Sequence, residues 1–271
     1  MPDPSPADLH ALISHLAAEV NRLSANSIEL RRQITGLQVE RLLASRQQTP
    51  RYPVEFTSQN GEDLFLWHLF HDQPRGFFIE VGAYDGYRDS VSYAFECVGW
   101  QGLLIEANPA RAAQCKARRT ASRVEHFALL APNTPGPVRF TVVQDPAWDA
   151  SSYALDRPMH REALDTTTLP RATVEVPVTT MDALLAQHQG PIDFASIDVE
   201  GAELELLKGF TLTRHRPRVL LLEDNTLGRD QALANYMKSQ PYRFLGYLAV
   251  NQVYIHESEP DLLARAAMFR I

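Results

Sequence analysis

The chain has 271 residues and a formal net charge of −7, which argues against a non-specific nucleic-acid or anionic-membrane surface. Its length allows one large domain with an appendage, or two small domains. No apolar run reaches membrane-spanning length, the N-terminus has neither a basic cluster nor an apolar signal core, and the two cysteines, Cys97 and Cys115, form no C-x-x-C; together these predict a reduced cytoplasmic protein.

Leu9, Leu16, Leu23, Leu30 and Leu37 recur every seven positions, and Ile13, Val20, Ser27 and Ile34 follow the first four by four residues. This is an a/d heptad seam, β-branched mostly at a and leucine at d, the pattern of a two-stranded parallel coiled coil with Ser27 as a polar break. No proline lies between Pro6 and Pro50, so one helix can run throughout, and self-association as a dimer is expected. The alternative is a helix packed on its own domain, which would need a wider apolar face. Residues 1–48 are thus expected to form a coiled-coil helix and 49–271 the main domain, joined by a linker with Pro50 and Pro53.

Ser58 or Asn60 is placed to cap a helix carrying Leu64, Trp67 and Phe70. His68 and His71 have no acid or cysteine nearby to complete a metal set. The apolar run from Phe77 predicts a buried strand over 77–83, and it ends in Gly82-Ala83-Tyr84-Asp85-Gly86, where glycines permit a tight turn and close approach of a ligand. A helix over 90–98 and a second strand over 102–107 follow, the strand ending in Glu106. A glycine-bearing turn after one strand and a carboxylate at the tip of the next is how an α/β sheet holds a ribose. Only Gly82 and Gly86 are present, short of G-x-G-x-x-G, and Glu80 and Asp85 would repel a pyrophosphate. An amine and a sulfonium would be attracted, so the loop favours S-adenosylmethionine over NAD.

The basic run Arg111, Lys116, Arg118, Arg119 reads as a solvated helix face, and strands are expected over 123–129 and 138–143. Residues 144–172, with Trp148, Tyr153, Met159 and His160, lack periodicity; a substrate loop and a plain surface loop are both open. A strand over 173–178 leads to a short helix over 181–188 capped by Thr180. A buried strand over 194–201 ends in acids, Asp198 and Glu200, with a helix over 202–209 closed by Gly209; the apolar strand from 218 to 222 ends in Glu223 and Asp224. A helix over 231–239, a hairpin turning at Asn251 and a last helix over 261–270 complete the chain. Strands alternating with helices predict a mostly parallel sheet covered on both faces, with an antiparallel hairpin at one edge. Four acid-tipped strands would then meet along one rim, where crowded carboxylates raise one another's pKa. They either take cationic company, the methyl donor plus a hard ion such as Mg²⁺ on Asp198, Glu223 and Asp224, or cap neighbouring helices.

Four ordered blocks, Ser58–Asp63, Phe78–Gly86, Gly99–Pro109 and Asp198–Glu203, resemble the FkbM family of S-adenosylmethionine-dependent methyltransferases over roughly residues 56–256. The resemblance implies the class I methyltransferase fold and O-methylation, often of a sugar hydroxyl. It implies Glu80, Gly82, Ala83, Asp85 and Gly86 at the methionine end, Glu106, Ala107 and Asn108 at the nucleoside, and Ser58 and Gln59 beside them. In similar metal-dependent sugar O-methyltransferases an acid at the place of Asp198 and an acid pair at the place of Glu223-Asp224 hold Mg²⁺. Some carry a base histidine where this chain has Gly201; Glu200 and His160 are the candidates left, beside Asp198, for the catalytic set. The rival expectation is an interaction protein whose coiled coil is the working part and whose α/β domain is a ligand sensor or an inactive scaffold; a nicotinamide-dependent dehydrogenase is the third.

Overall fold

The structure, a computed structural model, describes residues 6–144 and 170–269. The first helix, α1 (Pro6–Ser45), is unbroken over 40 residues, as the absence of proline allows, and so is about 60 Å long. No helix among the described residues is long and apolar enough to cross a membrane. After it come α2 (Glu62–Phe70), β1 (Phe77–Val81), α3 (Tyr93–Cys97), β2 (Gln101–Ile105), α4 (Pro109–Arg118) and β3 (Arg123–Glu125). Next are β4 (Ala128–Leu129), β5 (Val138–Val143), β6 (Arg171–Val176), β7 (Val178–Thr179) and α5 (Met181–Leu184). The chain then runs through β8 (Phe194–Ile197), α6 (Glu203–Lys208), α7 (Leu212–His215), β9 (Val219–Glu223), α8 (Ala232–Met237), β10 (Tyr242–Leu248), β11 (Asn251–His256) and α9 (Pro260–Met268).

Seven strands form one sheet in the order β10-β11-β9-β8-β1-β2-β3. β1, β2, β3, β8 and β9 are parallel, and β11 runs antiparallel to both β9 and β10, which is the antiparallel edge expected. The parallel strands are buried on both faces because helices cover both. Ile79, Leu103, Ala195 and Leu220 pack on one side with α5 and α6, while Phe78, Leu104, Phe194 and Leu221 pack on the other with α2 and α3. This is the doubly wound architecture of the class I methyltransferase fold. The small pairs β4–β7 and β5–β6 stand apart from the main sheet.

Several sequence expectations shift for local reasons. The helix expected from residue 90 begins only at Tyr93, because the Ser90 and Ser92 hydroxyls donate to the Glu80 carboxylate. The strand expected over 123–129 divides, since Ala128 and Leu129 pair with β7 rather than with β2. Left-handed Gly61 occupies the cap position of α2, while the Ser58 hydroxyl reaches its first turn from farther back, accepting from the Asp63 amide at 3.2 Å and donating to the Asp63 carboxylate at 2.6 Å. Gly209 ends α6 at φ −99, not in the left-handed conformation. The hairpin turns at 249–250, with Asn251 already in β11.

Arg119 contradicts the solvated-face reading of its helix. It is 1% exposed and binds Glu96 at 3.0 Å, the Gly86 carbonyl at 3.1 Å and the Ser90 and Ser92 hydroxyls, with Glu80 at 3.8 Å. A charge that deep is tolerable only because each of its N–H groups meets an acceptor. Cys97 and Cys115 are buried, and burial pushes both thiols up to about 12, so neither is a nucleophile.

Candidate active site

Strand register alone assembles the site. Val81 pairs with Ile105 on one side and with Ile197 on the other, and Ile197 pairs with Leu222. The next residue along each strand is Gly82, Glu106, Asp198 or Glu223, so a glycine and three acids share one rim at the carboxyl ends of β1, β2, β8 and β9. The sheet order reverses direction at β1 and β8, the position where doubly wound sheets open a crevice. A cavity of about 510 Å³ lies there, within the range of small-molecule sites. Residues 81–84 and 105–108 line it from β1 and β2; Phe127, Leu129, Leu130 and Phe140 supply apolar surface. A cavity of about 580 Å³ between α1 and α2 is larger, but no carboxylate lines it, and its His68 is already bonded to the Arg265 carbonyl.

Gly82 stands at φ +81, and a Cβ there would lie 1.9 Å from the Asp198 carbonyl oxygen. The strand tips meet closely only because this residue has no side chain. Gly82 and Ala83 both donate to the Ile105 carbonyl, which ties the turn to β2. At the tip of β2, Glu106 accepts from the Tyr84 amide at 2.7 Å and the Asn108 amide at 2.6 Å. Burial pushes its pKa up to about 7 against the pull of those two amides. Asn108 then caps α4, accepting from the Ala110 and Arg111 amides. The Arg111 guanidinium lies 4.3 Å from the centre of the Tyr84 ring, which is part of the cavity wall.

On the other side of the glycine, Asp198, Glu200 and Glu223 each present a carboxylate oxygen within 4.8 Å of the others. Asp198 reaches water through the cavity, yet protein surrounds it; burial and neighbouring acids raise its pKa. Burial, then the Asp198 charge, lifts Glu200 to about 8. Glu223 is raised well above the carboxylate range by burial and by Asp198 and Glu200. Asn225 donates to its Oε1 at 2.8 Å, and its carboxyl meets that of Asp198, so that a proton on one of the two is shared between them. Three crowded acids whose burial and mutual repulsion hold protons on them fit a divalent cation, which oxygen ligands of this kind bind in place of those protons. Glu200 has φ +52, uncommon for a residue with a side chain; the Glu203 carboxylate braces that turn through the Val199 and Gly201 amides.

Of the residues expected from the sequence, Gln59, Gly82, Ala83, Glu106, Ala107, Asn108, Asp198, Glu200 and Glu223 line this cavity. Others do not act as expected. Ser58 is buried against Asp63. Glu80 touches the cavity wall, but its carboxylate is directed to the Val91 amide and the Ser90 and Ser92 hydroxyls, because it lies on the Phe78 side of β1. Asp85 turns back to the Tyr87 and Arg88 amides and pairs with Arg118 at 2.7 Å. Gly86 serves packing, since a Cβ there would lie 2.7 Å from Arg119 and 2.9 Å from the Cys115 sulfur. Asp224 leaves the acid cluster: it accepts from Thr226, the Gly228 amide, Tyr247 and Gln252 and fastens the hairpin to β9. Adjacent residues of an extended strand point to opposite sides, so Glu223 and Asp224 could not both enter the cluster, and Glu200 takes the third place. His160 lies outside the described residues. Glu203 and Asn225 were missed as supports; Glu203 lay in the quoted Asp198–Glu203 block, whereas nothing in the sequence set Asn225 apart.

Solved structures similar to this chain include the following methyltransferases. The O-methyltransferase from Bacillus cereus in complex with SAH is 14% identical over 82% of this chain and 88% of that one, with a TM-score of 0.38. Precorrin-6y C5,15-methyltransferase from Geobacter metallireducens GS-15 is 14% identical over 74% and 87%, also at 0.38. A human methyltransferase 10 domain containing protein is 13% identical over 86% and 96%, again at 0.38. No curated protein matches the chain. The model of the methyltransferase FkbM domain matches residues 80–244, which runs from the end of β1 into β10 and includes every acid of the rim. By that match, over more than half its length, this chain belongs to the FkbM methyltransferase family.

Proposed function

We propose that this protein transfers a methyl group from S-adenosylmethionine to a hydroxyl of a sugar or glycan-like acceptor, assisted by a divalent cation such as Mg²⁺. The observation that carries the reading is the cluster of Asp198, Glu200 and Glu223 beside Gly82, three acids within 4.8 Å of one another whose burial and crowding raise each pKa. S-adenosylmethionine, when bound, supplies a methyl carbon already activated by its positive sulfur. A divalent cation, when bound, supplies Lewis-acid polarisation of the acceptor oxygen. Asp198 and Glu223 are the residues to hold that cation. Glu200, the third carboxyl of the cluster, takes the hydroxyl proton, standing in for the histidine absent at Gly201. Glu106, fixed by two amides, receives the ribose hydroxyls, and the Gly82 backbone lets the donor approach the sheet. The apolar wall around Phe127 and Phe140 excludes water from one side of the reaction. Self-association through α1 holds catalytic domains together.

The test is formation of S-adenosylhomocysteine from S-adenosylmethionine with a panel of sugar and glycan acceptors, with Mg²⁺ or with EDTA. Product with Mg²⁺ and none with EDTA is expected. Equal product in both removes the cation, and no product with any acceptor supports a sensing or scaffold role instead.

Glu106 gives a pH signature. Below about 7 its carboxyl is protonated in the folded protein; above it, the carboxylate accepts the ribose hydroxyls and attracts the cationic donor. Affinity for S-adenosylmethionine is therefore expected to rise about tenfold between about pH 6 and about pH 8. Calorimetric titration checks this, and Glu106→Gln is expected to bind weakly with no such slope.

A further inference from the structure

α1 has two apolar faces on opposite sides. Ile28, Arg32, Thr35, Gly36, Val39, Leu42 and Leu43 are buried or half-buried against the domain and occupy b, c and f of the heptad frame, with half-buried Arg31, at e, on the border of that face. The a and d residues from Leu9 to Leu37 are untouched: the leucines, Ile13, Val20 and Ile34 are between 45% and 63% exposed. Even Leu30, Ile34 and Leu37, level with the docked stretch, remain open at 54–63%. The domain thus covers the face that a coiled coil leaves outside and leaves free the face that a coiled coil buries. A helix docked once would leave its other side polar; a second continuous stripe of isoleucine, valine and leucine needs a second helix.

We propose that the occupant is a second copy of this chain, its α1 paired in parallel and in register along the a/d seam, with one catalytic domain on the outer face of each helix. The seam is self-complementary. In a parallel pair each g residue faces the e residue five positions later in the partner helix, which here sets Leu12 with Ala17, Glu19 with Ser24, Asn26 with Arg31 and Gln33 with Gln38. No like charges meet. β-Branched residues at a with leucine at d select two strands, and Ser27, the one polar a residue of the seam, faces itself only when the pair is parallel and in register. Residues 6–27 extend roughly 33 Å beyond the docked stretch, and every described side chain of that segment but one is exposed, so a bare helix there is marginal without a partner.

The seam also borders the active site. Gln33, Leu37 and Glu40 line a cleft of about 720 Å³ that shares Arg88 and Asp89 with the cofactor cavity. Arg32, on the docked face, donates to the Ser58 and Gln59 carbonyls, and Gln59 lines that cavity. A paired helix therefore runs beside a cleft that adjoins that cavity.

The inference stands apart from the catalytic reading, because its readouts are mass and cross-linking. Light scattering of the full chain is expected to give the mass of two chains, and Leu16→Lys with Leu23→Lys the mass of one, with the domain's melting transition retained. A single-chain mass for the natural protein, a mass of three or more chains, or an unchanged mass in the double variant overturns it. Ser27→Cys, oxidised, is expected to give a covalent dimer, the native cysteines being buried. A two-chain mass without that cross-link overturns the parallel register.

Discussion

Asp198→Asn is expected to lose methyl transfer by about 10³-fold or more while gaining stability. The two effects have one cause. Asp198, Glu200 and Glu223 lie within 4.8 Å of one another, and unit charges at such separations repel by about 1 kcal/mol in water and about 4 kcal/mol in a partly screened protein site. Removing one charge relieves part of that repulsion, so a gain of about 1–2 kcal/mol is expected in the absence of metal, or roughly 2–8 °C in melting temperature. The same change removes a cation ligand and the charge that lifts Glu200. S-Adenosylmethionine should still bind, since Glu106 and the Gly82 turn are intact. Thermal denaturation and calorimetry, beside an activity assay, separate the parts. Full activity in this variant would remove Asp198 from the mechanism, and a loss of stability would mean that the acid cluster is structural.

Gly82→Ala is expected to cost roughly 3–5 kcal/mol and to abolish binding of the methyl donor. The Cβ would meet the Asp198 carbonyl oxygen at 1.9 Å, a backbone atom in the neighbouring strand that cannot rotate away, and the residue would sit at φ +81. Relief requires β1 and β8 to part at their tips, which pulls the acid cluster from the turn. Gly99→Ala is the control: its φ is +101 but nothing lies within 4 Å of a Cβ, so about 1–2 kcal/mol is expected there, without effect on binding. Chemical denaturation of the two variants checks the difference. Equal costs would mean that backbone conformation, not the contact with β8, makes glycine necessary at residue 82.

The sequence held the periodic information and the strand tips. Apolar runs placed β1, β2 and β9 within a residue or two and the start of β8, because a strand buried on both faces is apolar along most of its length. The heptads placed α1, and the acid at each tip announced the rim. Sequence alone also carried the family, since four ordered blocks with fixed glycines are hard to satisfy by chance.

Tertiary structure decided which acids face the rim. Glu80 and Glu106 look alike in the sequence, but Glu80 lies inside β1 and turns to the segment before α3, while Glu106 lies one residue past β2 and turns into the cavity. Glu223 and Asp224 are neighbours, yet strand alternation sends one to the acid cluster and the other to the hairpin. Arg119 resembled any basic residue on an amphipathic helix until the fold closed around it. The same holds for α1: spacing revealed the a/d seam, but only the packed domain showed that the opposite face is already occupied. Spacing along one chain fixes what lies on the same side of one element. Which side meets the rest of the molecule is set by contacts between elements distant in sequence, and those exist only once the chain is folded.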